Sequence, residues 1–195
     1  MPAELSILVI DENRMRASII EDGLREAGHR RIQLVHDVNE AARALERIAP
    51  DVVVFSLDNP NRDRLEHYFS LSRVLERPIA MFVEQSDRAS IEAAVAAGVS
   101  AYVVDGLKKE RVEAILDMAV SRFNAFAHLK RELAEARTEL EERKLIDEAK
   151  GILMRTRNLS EPEAYQLMRK TAMNQNRRIA EIAQSLITAA SLLEP

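Results

Sequence analysis

Between Lys109 and Lys150 the chain contains neither glycine nor proline. Nothing in that stretch offers a turn, and it is several times longer than the ordinary helix of about 11–12 residues. It predicts one long helix separating a front part from a short tail. Along it Val112, Ile115, Ala119, Phe126, Leu129, Leu133, Ala136 and Leu140 recur at three- and four-residue steps, broken only at Arg122, with Glu, Lys and Arg filling the positions around them. This is a heptad seam. A helix lying on its own domain is the alternative, but no neighbouring apolar surface is available to cover residues 129–140. The seam therefore predicts a coiled coil between two copies of the chain.

The front part alternates apolar runs with amphipathic stretches, the pattern of βα units around a parallel sheet. Strands are predicted at residues 5–10, 33–36, 51–57, 78–83 and 101–104. Between them lie helices at about 14–27, 38–48, 63–75 and 88–97, the first and last stopped by Gly28 and Gly98 in the left-handed conformation. Five parallel strands wound this way make a flavodoxin-like, doubly wound α/β domain, whose sites lie at the carboxyl ends of the strands. With 47% hydrophobic and 31% charged residues the chain has material for a core, and 5 Gly and 6 Pro are too few for an all-β protein.

After Arg157 the long helix is expected to end at Asn158. Ser160-Glu161-Pro162-Glu163 reads as a capping box with proline in the first turn of a helix running to about Met173. Asn174-Gln175-Asn176 reads as a turn. Ile179, Ile182, Ala183, Leu186 and Ile187 give the last helix its apolar face, and Met154, Met168 and Met173 are read as core packing. The tail is thus a small three-helix, all-α domain.

Net charge is −4, which by itself does not suggest a polyanion partner, but its distribution does. Lys150, Arg155, Arg157, Arg169, Lys170, Arg177 and Arg178 face only Glu161 and Glu163 in the same window. Such a locally basic helical surface suits RNA phosphates, and Asn174, Gln175 and Asn176 suit base edges in an unpaired loop. Tyr165, the tail's one aromatic residue, has two readings, a stacking platform or a core residue. A solvated helix face is the plain reading of the cations.

Two resemblances sharpen this. Residues 7–13 (ILVIDEN), 50–57 (PDVVVFSL) with Pro60 and Asp63, and Gly98 to Tyr102 resemble a response-regulator receiver over roughly residues 5–122. That resemblance implies an acidic pair for Mg²⁺, here Asp11 and Glu12, a phosphoacceptor Asp after the third strand, and a Thr/Ser and a Lys after the fourth and fifth. Ser56 stands at the acceptor position, Val83 at the hydroxyl position and Asp105 at the lysine position. Serine cannot form an acyl phosphate, valine donates no hydrogen bond, and Asp105 adds negative charge where a dianion should land. No phosphoacceptor is expected, although Asp58 could be reached by strand periodicity. Asp11 and Glu12, with Asp105, are the candidate Mg²⁺ ligands; an acidic loop surface is the alternative, and no other cofactor is expected.

The second resemblance lies in the tail. Residues 146–154 (IDEAKGILM), 160–165 (SEPEAY), 167–173 (LMRKTAM) and 179–183 (IAEIA) are similar to the ANTAR domain of the AmiR and NasT transcription antiterminators. It implies binding of paired leader-mRNA hairpins to prevent termination, with Lys150, Arg155, Arg157, Tyr165, Arg169, Lys170, Asn174, Arg177 and Arg178 as candidate RNA-binding residues. Residues 101–107 (AYVVDGL) and the 59–63 loop look most like the NasT branch. That branch implies nitrate or nitrite assimilation and a nitrate-sensing partner, NasS, in place of phosphorylation.

The expected organisation is a degenerate receiver at 1–122, a coiled-coil dimerisation helix at 123–145 and an ANTAR domain at 146–195. No enzyme is expected: His29, His36, His67 and His128 fall in different elements, and no nucleophile–base pair or glycine-rich phosphate loop occurs. The chain has no cysteine. Its N-terminus lacks a basic region before a short apolar run, so no signal peptide or membrane span is expected and a cytoplasmic location is. The rival architecture is a phosphorelay receiver with a DNA-binding helix-turn-helix output; a protein-interaction adaptor without nucleic acid is the third.

Overall fold

The computed structural model describes residues 5–58 and 62–193. Residues 1–4, and residues 59–61 of the loop used in the NasT comparison, lie outside them. Two compact units follow one another, Met1–Ala127 and His128–Pro195.

The first unit is the expected doubly wound α/β domain. Its elements are β1 (Ser6–Ile10), α1 (Arg14–Glu26), β2 (Arg31–Val35), α2 (Val38–Ile48), β3 (Val52–Leu57), α3 (Arg62–Val74), β4 (Ile79–Val83), α4 (Arg88–Ala96) and β5 (Ala101–Val104), with a 3₁₀ turn at Lys109–Arg111 and the start of α5 (Val112–Arg157). All strands pair in parallel in the order β2-β1-β3-β4-β5. Period-two alternation divides the sheet's side chains between two cores. Leu8, Ile10, Val53 and Phe55 meet Ala41, Leu45, Leu65, Tyr68 and Ala94 of α2, α3 and α4. Ile7, Val9, Val52 and Val54 meet Ile20, Leu24, Val112, Leu116 and Ala119 of α1 and α5.

Gly23 lies inside α1, where glycine costs about 1 kcal/mol relative to alanine. A Cβ there would stand 2.7 Å from the Lys109 carbonyl oxygen. The close approach of α1 to the 3₁₀ turn requires the glycine.

α5 is 46 residues long and changes its surroundings along the way. Val112, Ile115 and Ala119 are buried in the first unit, so the front of the predicted seam is domain core and not part of a coiled coil. From residue 128 to 141 every position is exposed, and Phe126, Leu129, Leu133 and Leu140 are 53–66% exposed.

The second unit packs Ala149 and Leu153 of α5 against Ala164, Met168 and Ala172 of α6 (Glu161–Gln175) and Ile182 and Ala183 of α7 (Ile179–Leu193). α5 ends where Asn158 turns left-handed, at φ 51°. At the start of α6 both the backbone N–H and the hydroxyl of Ser160 donate to Glu163 Oε2, at 2.8 and 2.6 Å. The helix continues through Asn174 and Gln175, which were expected in the turn, and stops at Asn176 in the left-handed conformation. All three polar residues are plausible stops, and asparagine tolerates that conformation best. Met168 is buried as expected, whereas Met154 and Met173 are 40% and 73% exposed and are not core. Among the described residues no helix is long and apolar enough to cross a membrane.

Candidate functional site

At the carboxyl end of the first unit's sheet, Arg16, Ser56, Phe82, Val83, Glu84, Asp105 and Leu107 border an open cleft of about 590 Å³. Asn13 caps α1 by accepting from the Met15 and Arg16 amides, and the first turn of the helix swings Arg16 back over the strand ends. There its Nε and Nη2 donate to Asp11 Oδ2 and Oδ1 at 3.1 and 2.9 Å, a two-pronged pairing. Nη1 lies 2.8 Å from Asp58 Oδ1 and 3.6 Å from Glu84 Oε1.

Asp11 is fully buried. Besides Arg16 it accepts the Asn13 amide at 2.8 Å, and its carbonyl oxygen lies 2.8 Å from His36 Nδ1. Burial opposes the charge on Arg16, but the hydrogen bonds to Asp11 and the charges of Asp11, Asp58 and Glu84 outweigh it, so the guanidinium pKa is raised. Glu84 is pushed above the usual carboxylate range, first by its hydrogen bond with Asp58 and then by the charge of Asp58.

The other receiver positions diverge. Glu12 is directed to Arg64, at 2.7 Å. Ser56 is buried with 2% exposure, and Asp105 sits at φ 47° with its amide on the Val83 carbonyl. The candidate ligands Asp11, Glu12 and Asp105 do not converge. Among the described residues no group of three or more His, Cys, Asp or Glu is placed to hold a metal ion. The acidic pair of a receiver binds Mg²⁺ through free carboxylate oxygens; here the Arg16 guanidinium takes those of Asp11 and Glu12 turns to Arg64, and these residues do not fit that ion.

In the second unit the candidate cations fall into two sets. Lys150, whose side chain is 15% exposed, bridges Asp147 at 2.6 Å and Glu161 at 2.7 Å, joining α5 to the start of α6. The hydrogen bond from Lys150 holds the Asp147 carboxyl below its usual range. Arg177 pairs with Glu181 at 3.2 Å and donates to Ser185 Oγ, while Arg178 reaches Glu142 at 2.8 Å and Glu181 at 3.4 Å. Arg155, Arg157, Arg169 and Lys170 are exposed, and none makes an ion pair with a described residue.

Within that second set, the placement of Arg169 follows from the packing of α6. Ala164, Met168 and Ala172 form its buried line, so the next line round the helix, Tyr165, Arg169 and Met173 at four-residue steps, stands at the surface. Tyr165 is 43% exposed and is not a core residue. Asn174 is exposed on the last turn of the same helix. Sequence reasoning missed Arg16, Met173 and the carboxylates Asp147 and Glu142. Arg16 was signalled only by its place one turn into a helix that starts at a strand end.

Residues 134–187 match the ANTAR domain model. The chain is 28% identical over 179 residues to the transcriptional regulatory protein PdtaR of Mycobacterium tuberculosis, covering 90% of this chain and 87% of that one. It is 38% identical over 78 residues to the nitrate regulatory protein of Klebsiella oxytoca, covering 40% of this chain but 20% of that protein. In fold, the first unit is similar to the signal receiver domain of a modulated diguanylate cyclase from Desulfovibrio desulfuricans, with TM-score 0.52 and 17% identity over 61% of this chain and 95% of that one.

Proposed function

We propose that this chain, a receiver-like domain followed by an ANTAR domain, is an RNA-binding transcription antiterminator that grips paired hairpins in leader mRNA and keeps the terminator from forming. The observation that carries the proposal is the set of exposed cations without carboxylate partners among the described residues, Arg155, Arg157, Arg169 and Lys170, together with an exposed Tyr165 one helical turn before Arg169. Unpaired guanidinium and ammonium groups bind phosphate without first giving up an internal partner, and an exposed phenol ring offers a loop base a stacking surface. Asn174 supplies an amide on the last turn of α6. Arg177 and Arg178 take part after exchanging their carboxylates for phosphates, while Lys150 keeps its bridge between α5 and α6.

Two copies act together. The seam of Phe126, Leu129, Leu133, Ala136 and Leu140 is exposed, and pairing it with a second copy buries it in a coiled coil. A homodimer presents two ANTAR domains to two hairpins, and such tethering raises avidity by about 10²–10⁴.

The regulator works in the cytoplasm, carries no catalytic activity, and takes its signal from a partner protein and not from aspartyl phosphorylation, since Ser56 is buried and cannot form an acyl phosphate. Its genes are those of nitrate or nitrite assimilation and its partner is a NasS-like nitrate sensor; the likeness over 78 residues to a nitrate regulatory protein supports this reading. The test is a mobility shift of the intact chain on a two-hairpin leader RNA and on duplex DNA of equal length. Retardation of the RNA alone is expected. Preference for the duplex, or no shift with either, would overturn it. Addition of the sensor should abolish the shift and nitrate restore it.

A further inference from the structure

We infer that Arg16 is a tethered, permanent cation standing where a receiver would hold its divalent ion, and that it ties together the carboxyl ends of three neighbouring strands. Asp11 follows β1, Asp58 follows β3 and Glu84 follows β4, and these strands are adjacent in the sheet. All three carboxylates lie within 3.6 Å of one guanidinium. The side chain of Asp11 is wholly buried and that of Arg16 is 13% exposed, so the central pair is shielded from solvent.

Charge and geometry both favour arginine as the occupant. A buried carboxylate without a cation is costly, and α1 delivers one of the same sign as a metal ion, with a planar fork that matches the two oxygens of Asp11. Mg²⁺ requires near-octahedral oxygen ligands at 2.0–2.1 Å and keeps several waters. Asp11 Oδ1 already accepts from both the Asn13 amide and Arg16 Nη2, leaving no room for that shell. A divalent ion would also face the positive guanidinium in direct contact. One positive charge against three carboxylates leaves the pocket net negative, so removing Arg16 leaves the buried Asp11 without its counter-charge.

The consequence is a receiver-like domain whose strand ends are fastened in one arrangement, independent of ions in the surroundings. Thermal unfolding of the full-length chain in EDTA and in millimolar Mg²⁺ or Mn²⁺ tests it, with the wild type beside Arg16→Met and Arg16→Lys. Wild type should melt at the same temperature in all three media. Arg16→Met should melt roughly 10 °C lower in all three media. Arg16→Lys keeps the charge without the fork and should fall between them, insensitive to metal. Stabilisation of the wild type by either ion, or an Arg16→Met variant as stable as wild type, would each overturn the inference. Mn²⁺ binding to the wild-type chain, read by the loss of free-ion paramagnetic resonance signal, decides the matter should Arg16→Met fail to fold: no binding is expected, and binding overturns it.

Discussion

The two ends of the molecule use arginine in opposite ways. In the first unit Arg16 is nearly enclosed and answered by Asp11, Asp58 and Glu84. In the second, Arg155, Arg157 and Arg169 stand in solvent with no carboxylate in reach among the described residues. The same side chain is a fastener in one place and an open contact in the other, and what separates them is whether the fold supplies the counter-charge. Residue type and local charge therefore point to a ligand only after internal partners have been subtracted. Lys150 shows the point within a single domain, since it belongs to the basic window by sequence and to a structural bridge by contact.

This contrast can be broken in several places. The largest expected effect comes from the seam: Leu133→Glu with Leu140→Glu places like charges across the proposed coiled coil. Sedimentation should then report monomers, with leader-RNA affinity lower by about 10²–10⁴ as the second contact ceases to be tethered. Unchanged mass would show that the seam faces something other than a second copy.

Next in size is Asp11→Asn, which keeps the shape of the pocket and removes the charge that answers Arg16. A loss of about 2–3 kcal/mol in chemical denaturation is expected, with RNA binding unaffected below the unfolding transition. A smaller effect is expected from Lys150→Ala: a melting midpoint a few degrees lower, because α5 and α6 lose their bridge, with the salt dependence of RNA binding close to wild type. A flattened salt dependence there would put Lys150 on the RNA.

The smallest effect concerns acid. Asp147 is held below the usual carboxylate range first by its hydrogen bond from Lys150, Glu163 by its hydrogen bond from the Ser160 hydroxyl and Glu181 by its hydrogen bond from Arg177. Depressed carboxyls stabilise the fold fully above their unfolded pKa values of about 4–4.5 and lose that contribution as pH falls through the lowered folded values. Stability of the second unit should thus begin to decline only below pH about 4.5. A decline starting near neutrality would place its cause elsewhere.

Much of this was legible in the sequence because it depends on short-range rules. Apolar runs gave the five strands, Gly28 and Gly98 marked two helix ends through their positive φ, and Ser160 with Glu163 marked the start of α6. What was not legible depends on closure of the chain over longer distances. Arg16 becomes the partner of Asp58 and Glu84 only when three strands lie side by side. The seam of α5 is a single pattern by spacing, yet its front belongs to the core because α1 and the sheet cover it. Met173 looked like core because methionine usually is, and its exposure follows from which line of α6 faces α5 and α7. In the same way, the spacing of Lys150 and Arg157 says that they share a helix face but nothing about Asp147 and Glu161 competing for the lysine.

Whether unanswered cations on the ANTAR domain hold RNA phosphates is read from the salt dependence of binding. Affinity of the intact chain for a two-hairpin leader should be measured across a range of salt for wild type and for Arg169→Ala with Lys170→Ala. The account expects weaker binding at every salt concentration and a slope of log K against log salt flatter by about 1 per lost contact. Equal slopes and equal affinities for the two proteins would contradict it.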